Sequence, residues 1–244
     1  KELREKGFAG HIVSVPGDVR DESLLKNLFE THKPAWVLHA AAHKHVALME
    51  EDGTYILAKT AAAYNVERFL FISTDKAVRP TSVMGASKRL GEMVLRSLSG
   101  HSSTRFMSVR FGNVLGSSGS VVIVLNGLVP DKDIEIKFTG LKPGEKMYEE
   151  LFRDGDIRKD TGHSDIFAAV TAEAESSLSD EQLQGLKHLS TEADMGMMLT
   201  KIKELIPAYT GWPRHQKGKG GEAKPRGSEA EPRKTKGELD GEAA

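Results

Sequence analysis

The stretch from Phe69 to Glu92 contains the residues best suited to chemistry. It begins with the apolar run Phe69–Ile72, which has strand character, and turns abruptly polar at Ser73–Lys76, read Ser-Thr-Asp-Lys. A hydroxyl, a carboxyl and an amine therefore follow one another where a buried strand ends. In open α/β sheets the ligand crevice lies at the carboxyl ends of the strands. This stretch is the best candidate for an active site.

A helix that follows this stretch adds a lysine. The helix is predicted from about Ser82 to Leu98, and it carries Met84 and Lys88 four residues apart, on one face. A lysine that is desolvated or close to another cation can lose its proton near neutral pH and act as a base. An adjacent carboxyl can act as the acid. The alternative is a polar strand end that caps a loop, but the βαβ context favours catalysis.

Strands and helices alternate through the first half of the chain. Compact apolar strands are predicted at Ala35–Leu38, Phe69–Ile72 and Arg105–Val109, and a further short strand at His11–Val15. The helices between them run from a cap at Asp21 or Ser23 to about Thr31, from about Gly53 to Tyr64, and from Ser82 to Leu98. Nearly continuous apolar strands separated by helices favour an α/β fold, with a parallel sheet covered on both faces.

The second half is less regular. Strands are predicted at Asp133–Phe138 and Asp165–Val170, and helices at Met147–Phe152 and from Asp180 to about Leu205. From Trp212 onward Gly, Lys, Glu, Pro and Arg dominate, a composition that cannot bury apolar area and predicts a disordered tail. We therefore expect a first domain over 1–122, a smaller α/β part over 123–211 and the tail over 212–244.

The composition narrows the class of protein. The chain is 39% hydrophobic and 28% charged with a formal net charge of -1, so neither nucleic acid nor an anionic membrane is an expected partner. It has no cysteine, which excludes disulfides and thiolate metal sites and fits a reducing compartment. No apolar run approaches the ~20 residues of a spanning helix, and the charged first residues are unlike a signal peptide. We expect a cytoplasmic protein, or the cytoplasmic part of a membrane-anchored one.

Other polar groups have two interpretations each. His39, His43 and His45 could suggest a metal cluster, but they follow a strand and lack an H-E-x-x-H pattern, so we predict no metal site. The small residues Ala40–Ala42 between them would let a flat cofactor approach the backbone. Asp18, after a strand and a glycine, is either a helix cap or an acceptor for a nucleotide base.

Two later loops have residues that suit phosphate groups. The first loop follows a strand and contains Gly112-Asn113 and the glycine- and serine-rich run 116–120. Its backbone N–H groups could bind a phosphate. The alternative is that this loop is a flexible turn. The two lysines of Lys142–Lys146 could bind a diphosphate or could be solvated.

Five blocks in order carry a resemblance to a known family. They are GDVRD (17–21), HAAAHKHVALME (39–50), ISTDKAVRPTSVMGASKR (72–89), VRFGNVLGSSGSV (109–121) and FTGLKPGEKMYEEL (138–151). Over roughly residues 1–205 the chain resembles the polysaccharide-biosynthesis (CapD-like) branch of nucleotide-sugar 4,6-dehydratases, in the extended short-chain dehydrogenase/reductase family. The resemblance implies a Rossmann-like doubly wound parallel sheet, a tightly held NAD or NADP, a UDP-sugar substrate of the UDP-N-acetylglucosamine type, and a homo-oligomer.

The resemblance also implies a role for each residue. The family oxidises C4 of the sugar, eliminates water across C5 and C6, and returns the hydride to C6. Thr74 would hydrogen-bond the C4 oxygen, Asp75 would protonate the departing C6 hydroxyl, and Lys76 would be the base at C5. Lys88 would hold the nicotinamide ribose and lower nearby pKa values. Further cofactor contacts would come from Asp18 (at the adenine), Val19, Ala40, Ala41, Ala42 and Lys44, and substrate contacts from His43, Lys44, Asn113, Ser117, Lys142 and Glu145.

The sequence departs from the family pattern at the position of its tyrosine. Met84 stands there, as it does in some members of this branch. Because methionine cannot exchange a proton, the C4 proton would leave through Thr74, Lys88 or water.

Some family segments are expected to be missing. The glycine fingerprint of the first strand–helix turn is absent, and internal stretches look missing between Glu51 and Gly53 and between Val122 and Ile123. Either flexible parts of a longer protein are left out, which we favour, or the product is truncated and cannot bind the dinucleotide. The rival functions are a catalytically degenerate binding module and an epimerase. The Asp75-Lys76 pair argues against the epimerase, because simple C4 epimerisation needs neither a C6 acid nor a C5 base.

Overall fold

The protein's structure, a computed structural model, describes residues 10, 12–41, 49–114, 133, 146, 148–171, 177–179, 181–182, 185 and 195–211. The chain divides into one unit over Lys1–Trp212 and a second over Pro213–Ala244, which lies outside the described residues. The elements in chain order are α1 (Glu22–His32), β1 (Trp36–His39), α2 (Met49–Ala63), β2 (Arg68–Ile72), a 3-10 turn (Asp75–Ala77), α3 (Val83–Ser99), β3 (Arg105–Val109), β4 (Asp156–Asp160), β5 (Phe167–Thr171) and α4 (Met195–Leu205).

A parallel sheet carries the first part of the chain. Its strands lie in the order β1-β2-β3, with Val37 paired to Phe69 and Phe69 paired to Phe106. Parallel strands need a crossover connection, and α2 and α3 supply the two crossovers. This arrangement confirms the predicted α/β fold with its parallel sheet.

The described helices α1, α2 and α3 pack on one face of this sheet. Phe69 and Phe71 of β2 are fully buried there, in one cluster with Phe29 of α1, Ile56 of α2 and Leu95 of α3. Burying a side chain of this size contributes roughly 1.5–3 kcal/mol. The opposite face is more open, since Trp36 and Leu38 of β1 are 49% and 66% exposed.

Helix α3 lies between the sheet and the C-terminal helix. Its second side forms another buried cluster, which includes Ala86 and Leu90 together with Ile202 of α4 and Tyr209 beyond it. Because both sides of the helix are covered, every residue of Gly85–Leu95 is buried. Helix α3 is therefore held firmly behind the candidate site.

Two predicted elements are wrong. Residues 12–15 have no regular secondary structure, because the apolar run Ile12–Val15 has no strand partner among the described residues, and Val13 and Val15 are exposed. Residues 148–152 are not helical either. In that segment the carboxylates of Glu149 and Glu150 bind groups elsewhere in the chain, described below.

Strand β4 was not predicted. It pairs antiparallel with β5, with Ile157 opposite Val170. Four of its five residues, read Asp-Ile-Arg-Lys-Asp, are charged and the strand is largely exposed, so no apolar alternation reveals it. The predicted strand at Asp165–Val170 is confirmed as β5, shifted to Phe167–Thr171.

Candidate active site

The segment between β2 and α3 begins with Ser73 and continues with Thr74–Ala77, which we call the polar turn. Thr74 caps the 3-10 turn, and its side-chain oxygen accepts a hydrogen bond from the Lys76 backbone N–H at 3.4 Å. Ala77 N–H donates to the Thr74 carbonyl oxygen at 3.1 Å. The polar turn follows the end of β2 after Ser73, as the sequence predicts.

The side chains of the polar turn are joined to one another. Thr74 Oγ1 donates to Asp75 Oδ1 at 2.8 Å, and Lys76 Nζ donates to the same oxygen at 3.0 Å. Lys76 Nζ also lies 3.5 Å from Asn113 Oδ1. Asp75 is only 2% exposed, whereas Lys76 reaches solvent in part. A hydroxyl, a carboxyl and an amine thus converge, with an amide beside them.

The neighbouring strand holds this turn by backbone hydrogen bonds. Ser73 N–H donates to the Val109 carbonyl oxygen at 2.8 Å, and Asp75 N–H donates to that of Phe111 at 3.2 Å. The hydrogen bonding between β2 and β3 therefore continues past the ends of both strands. As a result, Asn113 lies beside Lys76.

Helix α3 approaches the turn so closely that glycine is required. A Cβ at Gly85 would lie 2.3 Å from the Lys76 carbonyl oxygen, far inside van der Waals contact. Ser82 caps the helix by accepting from Gly85 N–H at 3.1 Å. The first turn of α3 thus forms the wall of the polar turn, and partly buried Met84 belongs to that turn of helix.

Lys88 points back from α3 to the end of β2. Its Nζ donates to the Ile72 carbonyl oxygen at 3.1 Å and lies 4.8 Å from the ring centroid of Phe71. The sequence predicts a lysine facing the end of this strand, and its ammonium group is found there.

His39 belongs to the buried interior. Its Nε2 lies 2.9 Å from Thr54 Oγ1. Burial, and then the positive charge of Lys88, lower the pKa of His39 from 6.5 to about 4. The ring is therefore neutral at physiological pH. Within the described part of the chain, no three acidic or histidine side chains are grouped to hold a metal ion.

The predicted adenine contact, Asp18, is bound by an arginine. Arg20 Nε and Nη2 donate to its two carboxylate oxygens at 3.0 and 2.6 Å. The cap of α1 is Asp21, which accepts from the N–H groups of Ser23 and Leu24, so the alternative that Asp18 is the helix cap is wrong. Val19 faces the start of α2, where a Cβ on Gly53 would lie 2.6 Å from its Cγ2.

The remaining predicted residues divide into two groups. Ala40 and Ala41 directly follow β1, with Ala40 exposed. The others lie outside the described residues, and their roles stay predictions: Ala42, His43, Lys44, Ser117, Lys142 and Glu145.

A buried ion network beside the site was missed at the sequence level. Glu92 of α3 accepts hydrogen bonds from Ser73 Oγ at 2.6 Å, Arg89 Nη1 at 2.9 Å, and Arg110 Nε and Nη2 at 2.7 and 2.6 Å. The available signal was spacing, because Glu92 follows Lys88 by four residues and so shares its helix face.

The segment around residue 150 also binds to the site, through groups the sequence did not reveal. Glu149 Oε1 accepts from Asn113 N–H at 2.7 Å. Lys146 Nζ donates to the Val78 carbonyl oxygen and to Glu150, and Arg79 pairs with Glu150. The hydrogen bond from Lys146, with that from Arg79, lowers the pKa of the Glu150 carboxyl. These contacts join the C-terminal part to Val78 and Arg79, which follow the polar turn, and to Asn113 beside it.

Three curated relatives are similar to this chain. The capsular polysaccharide biosynthesis protein CapD of Staphylococcus aureus is 32% identical over 238 residues, which cover 66% of this chain and 40% of that protein. A UDP-N-acetylglucosamine 4,6-dehydratase (inverting) of Campylobacter jejuni is 32% identical over 136 residues, 50% of this chain and 40% of the relative. A UDP-glucose 4-epimerase of Rickettsia felis is 35% identical over 134 residues, which cover 49% of this chain and 39% of that protein. The chain thus spans about two fifths of the length of each.

No helix in the described part of the chain is both long enough and apolar enough to cross a membrane.

A family model described as "Polysaccharide biosynthesis protein" matches residues 1–129 and 122–171. Together these ranges cover well over half of the 244 residues. They include the polar turn, α3 and the residues 110–114 that follow β3, which we call the Asn113 loop. These three parts form the site. The chain therefore belongs to the polysaccharide biosynthesis protein family.

Proposed function

We propose that this chain carries the active site of a nucleotide-sugar 4,6-dehydratase acting on a UDP-sugar of the UDP-N-acetylglucosamine type, for surface polysaccharide synthesis. The observation that carries the proposal is the hydrogen-bonded set Thr74, Asp75 and Lys76 at the carboxyl end of β2. The similarity to a protein named as a UDP-N-acetylglucosamine 4,6-dehydratase supports this choice of reaction.

The geometry suits removal of the C4 hydroxyl proton without a tyrosine. Thr74 donates its own hydrogen to Asp75 Oδ1 at 2.8 Å, so its oxygen can accept one from the substrate. The C4 proton then passes through Thr74 to Asp75. This route avoids Met84, which has no exchangeable proton, and it leaves Asp75 protonated for the next step.

The elimination step uses the other two members of the set. A keto group at C4 acidifies the proton at C5, so an amine such as that of Lys76 suffices as the base that removes it. Asp75 gives its proton to the C6 hydroxyl, which leaves as water. Lys76 afterwards returns a proton to C5, so protons balance over the cycle.

The described residues fit a nicotinamide cofactor at this edge of the sheet. Exposed Ala40 leaves room at the end of β1, the Lys88 ammonium lies at the neighbouring end of β2, and Asp18 offers a carboxylate. We assign Lys88 to the ribose hydroxyls and Asp18 to the adenine. Bound NAD or NADP would supply the hydride acceptor for C4 and the hydride donor for C6.

We also propose that residues 123–211 retain only part of a substrate domain. The CapD alignment runs over 238 residues, whereas 66% of 244 residues is about 161. CapD therefore has residues inside the aligned region for which this chain has no counterpart, and we assign them to the stretch between Val122 and Ile123.

The proposal is tested by incubating the full chain with NAD and UDP-N-acetylglucosamine and following the products by mass spectrometry. A 4-keto product lighter by one water is expected, and Asp75→Asn should reduce its rate by at least about 100-fold, the usual contribution of an acid or base. No such product, together with no dinucleotide released from the denatured protein, would contradict the proposal and leave the degenerate binding module.

A nucleotide-sugar 4-epimerase is the second candidate. The similarity to a protein named as a UDP-glucose 4-epimerase favours it. An epimerase gives a product of unchanged mass with inverted C4, which nuclear magnetic resonance distinguishes from a 4-keto product. Lys76→Ala would then leave the rate little changed, because epimerisation needs no base at C5.

A further inference from the structure

We propose that Glu92 is a positioning residue, which holds the polar turn and the Asn113 loop in register for the reaction. The expected effects on kcat and KM rest on the proposed function. Its structural basis is independent of that function, since it comes from the contacts of one buried carboxylate.

Glu92 joins three elements at the edge of the site. Its Oε1 accepts from Ser73 Oγ, the residue before Thr74, at 2.6 Å. Arg110, the first residue after β3, donates to both of its oxygens at 2.7 and 2.6 Å. Arg89, one turn earlier on α3, donates at 2.9 Å. One side chain therefore connects the end of β2, the end of β3 and α3.

The two ends that Glu92 holds are those that align the reacting groups. Ser73 precedes the polar turn directly. Arg110 lies between Val109 and Phe111, whose carbonyl oxygens accept from Ser73 N–H and Asp75 N–H. The Asn113 amide, 3.5 Å from Lys76 Nζ, follows on the same loop. A shift of Glu92 would thus move both the polar turn and its amide neighbour.

Glu92 acts through these residues and not on a substrate. It is 7% exposed. A carboxylate has about four lone-pair sites, and the four hydrogen bonds from Ser73, Arg89 and Arg110 occupy them. Charge-assisted hydrogen bonds in a buried setting are the strong ones, so the carboxylate is suited to fixing geometry.

The main test compares Ser73→Ala with Ser97→Ala in the full chain. Each change removes a side-chain hydroxyl and its hydrogen bonds, since Ser97 Oγ, on the far part of α3, donates to the Met93 carbonyl oxygen at 3.1 Å and accepts from the Leu178 N–H at 2.8 Å. We expect similar losses of melting temperature. In Ser73→Ala alone, amide hydrogen exchange of Asp75, Ala77 and Val78 should accelerate about tenfold or more, because the turn loses its attachment.

The kinetic arm separates positioning from plain stability. Ser73→Ala should lower kcat about tenfold or more with KM little changed, because small misplacements of reacting groups are costly, and Ser97→Ala should retain kcat. Glu92→Gln, which keeps the shape but removes the charge, should shift exchange and kcat in the same direction. Equal exchange rates and equal kcat in the two serine variants would overturn the proposal.

The measurement of amide hydrogen exchange distinguishes failure of the positioning proposal from failure of the proposed function. If the wild-type chain forms no 4-keto product, the proposed function fails, while the exchange of Asp75, Ala77 and Val78 still decides whether Glu92 and Ser73 hold the turn. Faster exchange in Ser73→Ala than in Ser97→Ala supports positioning, and equal exchange contradicts it.

Discussion

Asp75 is the residue at which the hydrogen bonds of the polar turn converge. Its Oδ1 accepts from both Thr74 and Lys76, and its backbone N–H binds Phe111 of the neighbouring strand end. The side chain is almost fully buried, so the carboxyl is held by the protein rather than by water. At this scale, the sequence predicts where Thr74–Lys76 lie, because three consecutive reactive residues after an apolar strand need no long-range information, while their roles stay predictions.

His39 leads to a prediction about stability and pH. Its pKa is lowered from 6.5 to about 4, by burial and then by Lys88. The unfolded chain therefore binds a proton more readily, so the stability contributed by the neutral ring is complete above about pH 6.5 and is lost as the pH falls towards 4. The loss amounts to about 3 kcal/mol.

His39→Gln removes this titration, and urea unfolding between pH 4 and 7 measures it. The free energy of unfolding of the variant should fall less steeply towards low pH than that of the wild type. Exposed His101 provides the matched control, because His101→Gln leaves the buried ring in place. A wild-type slope retained in His39→Gln would show that another group is responsible.

Helix α3 is the element that positions the site. It contributes Gly85 at the polar turn, Lys88 at the end of β2 and Glu92 at the ends of two strands. The sequence predicts this helix at Ser82–Leu98, and Val83–Ser99 is observed. Its extent is predictable because it has a serine cap and regular apolar spacing. The close approach at Gly85 and the partners of Glu92 are not, because both depend on residues far away in the chain.

Gly85→Ala should disturb the site through the backbone. The added Cβ would meet the Lys76 carbonyl oxygen at 2.3 Å, so the helix or the turn must move. We expect a loss of roughly 1–3 kcal/mol in the free energy of unfolding, as for other overpacked sites, and a marked fall in product formation.

Gly100→Ala is the control for that change. No heavy atom lies within 4 Å of a Cβ at Gly100, which ends α3 with an ordinary φ of -75. Its stability should be unchanged or slightly raised. Equal stability of the two variants in chemical denaturation, together with equal product formation, would disprove the close packing of α3 on the polar turn.

At the scale of the whole chain, α3 is held between the sheet and α4. The α/β fold was predictable, because the strands β1, β2 and β3 are short apolar runs separated by amphipathic helices. The C-terminal part was predicted less well. The charged strand β4 pairs with β5, a contact that its own sequence pattern does not reveal. The segment 148–152 contacts Arg79 and Asn113 and is not helical.

The packing of α4 on α3 has a direct test in Ile202→Ala. Ile202 is 1% exposed and belongs to the same buried cluster as Ala86 and Leu90, so the variant should lose about 2–5 kcal/mol of unfolding free energy. Met197→Ala on the same helix is the control, since Met197 is 65% exposed. A similar loss in both variants, measured by urea unfolding, would contradict the packing described for α4.

The most direct test of the central claim, that Lys76 is the base at C5, is the reaction of UDP-N-acetylglucosamine in deuterated water. The product should carry deuterium at C5 and be a 4-keto sugar that has lost one water. Lys76→Ala should give neither change, whereas Lys59→Ala on exposed helix surface should behave as wild type. Deuterium at C5 formed at the wild-type rate by Lys76→Ala would contradict the account.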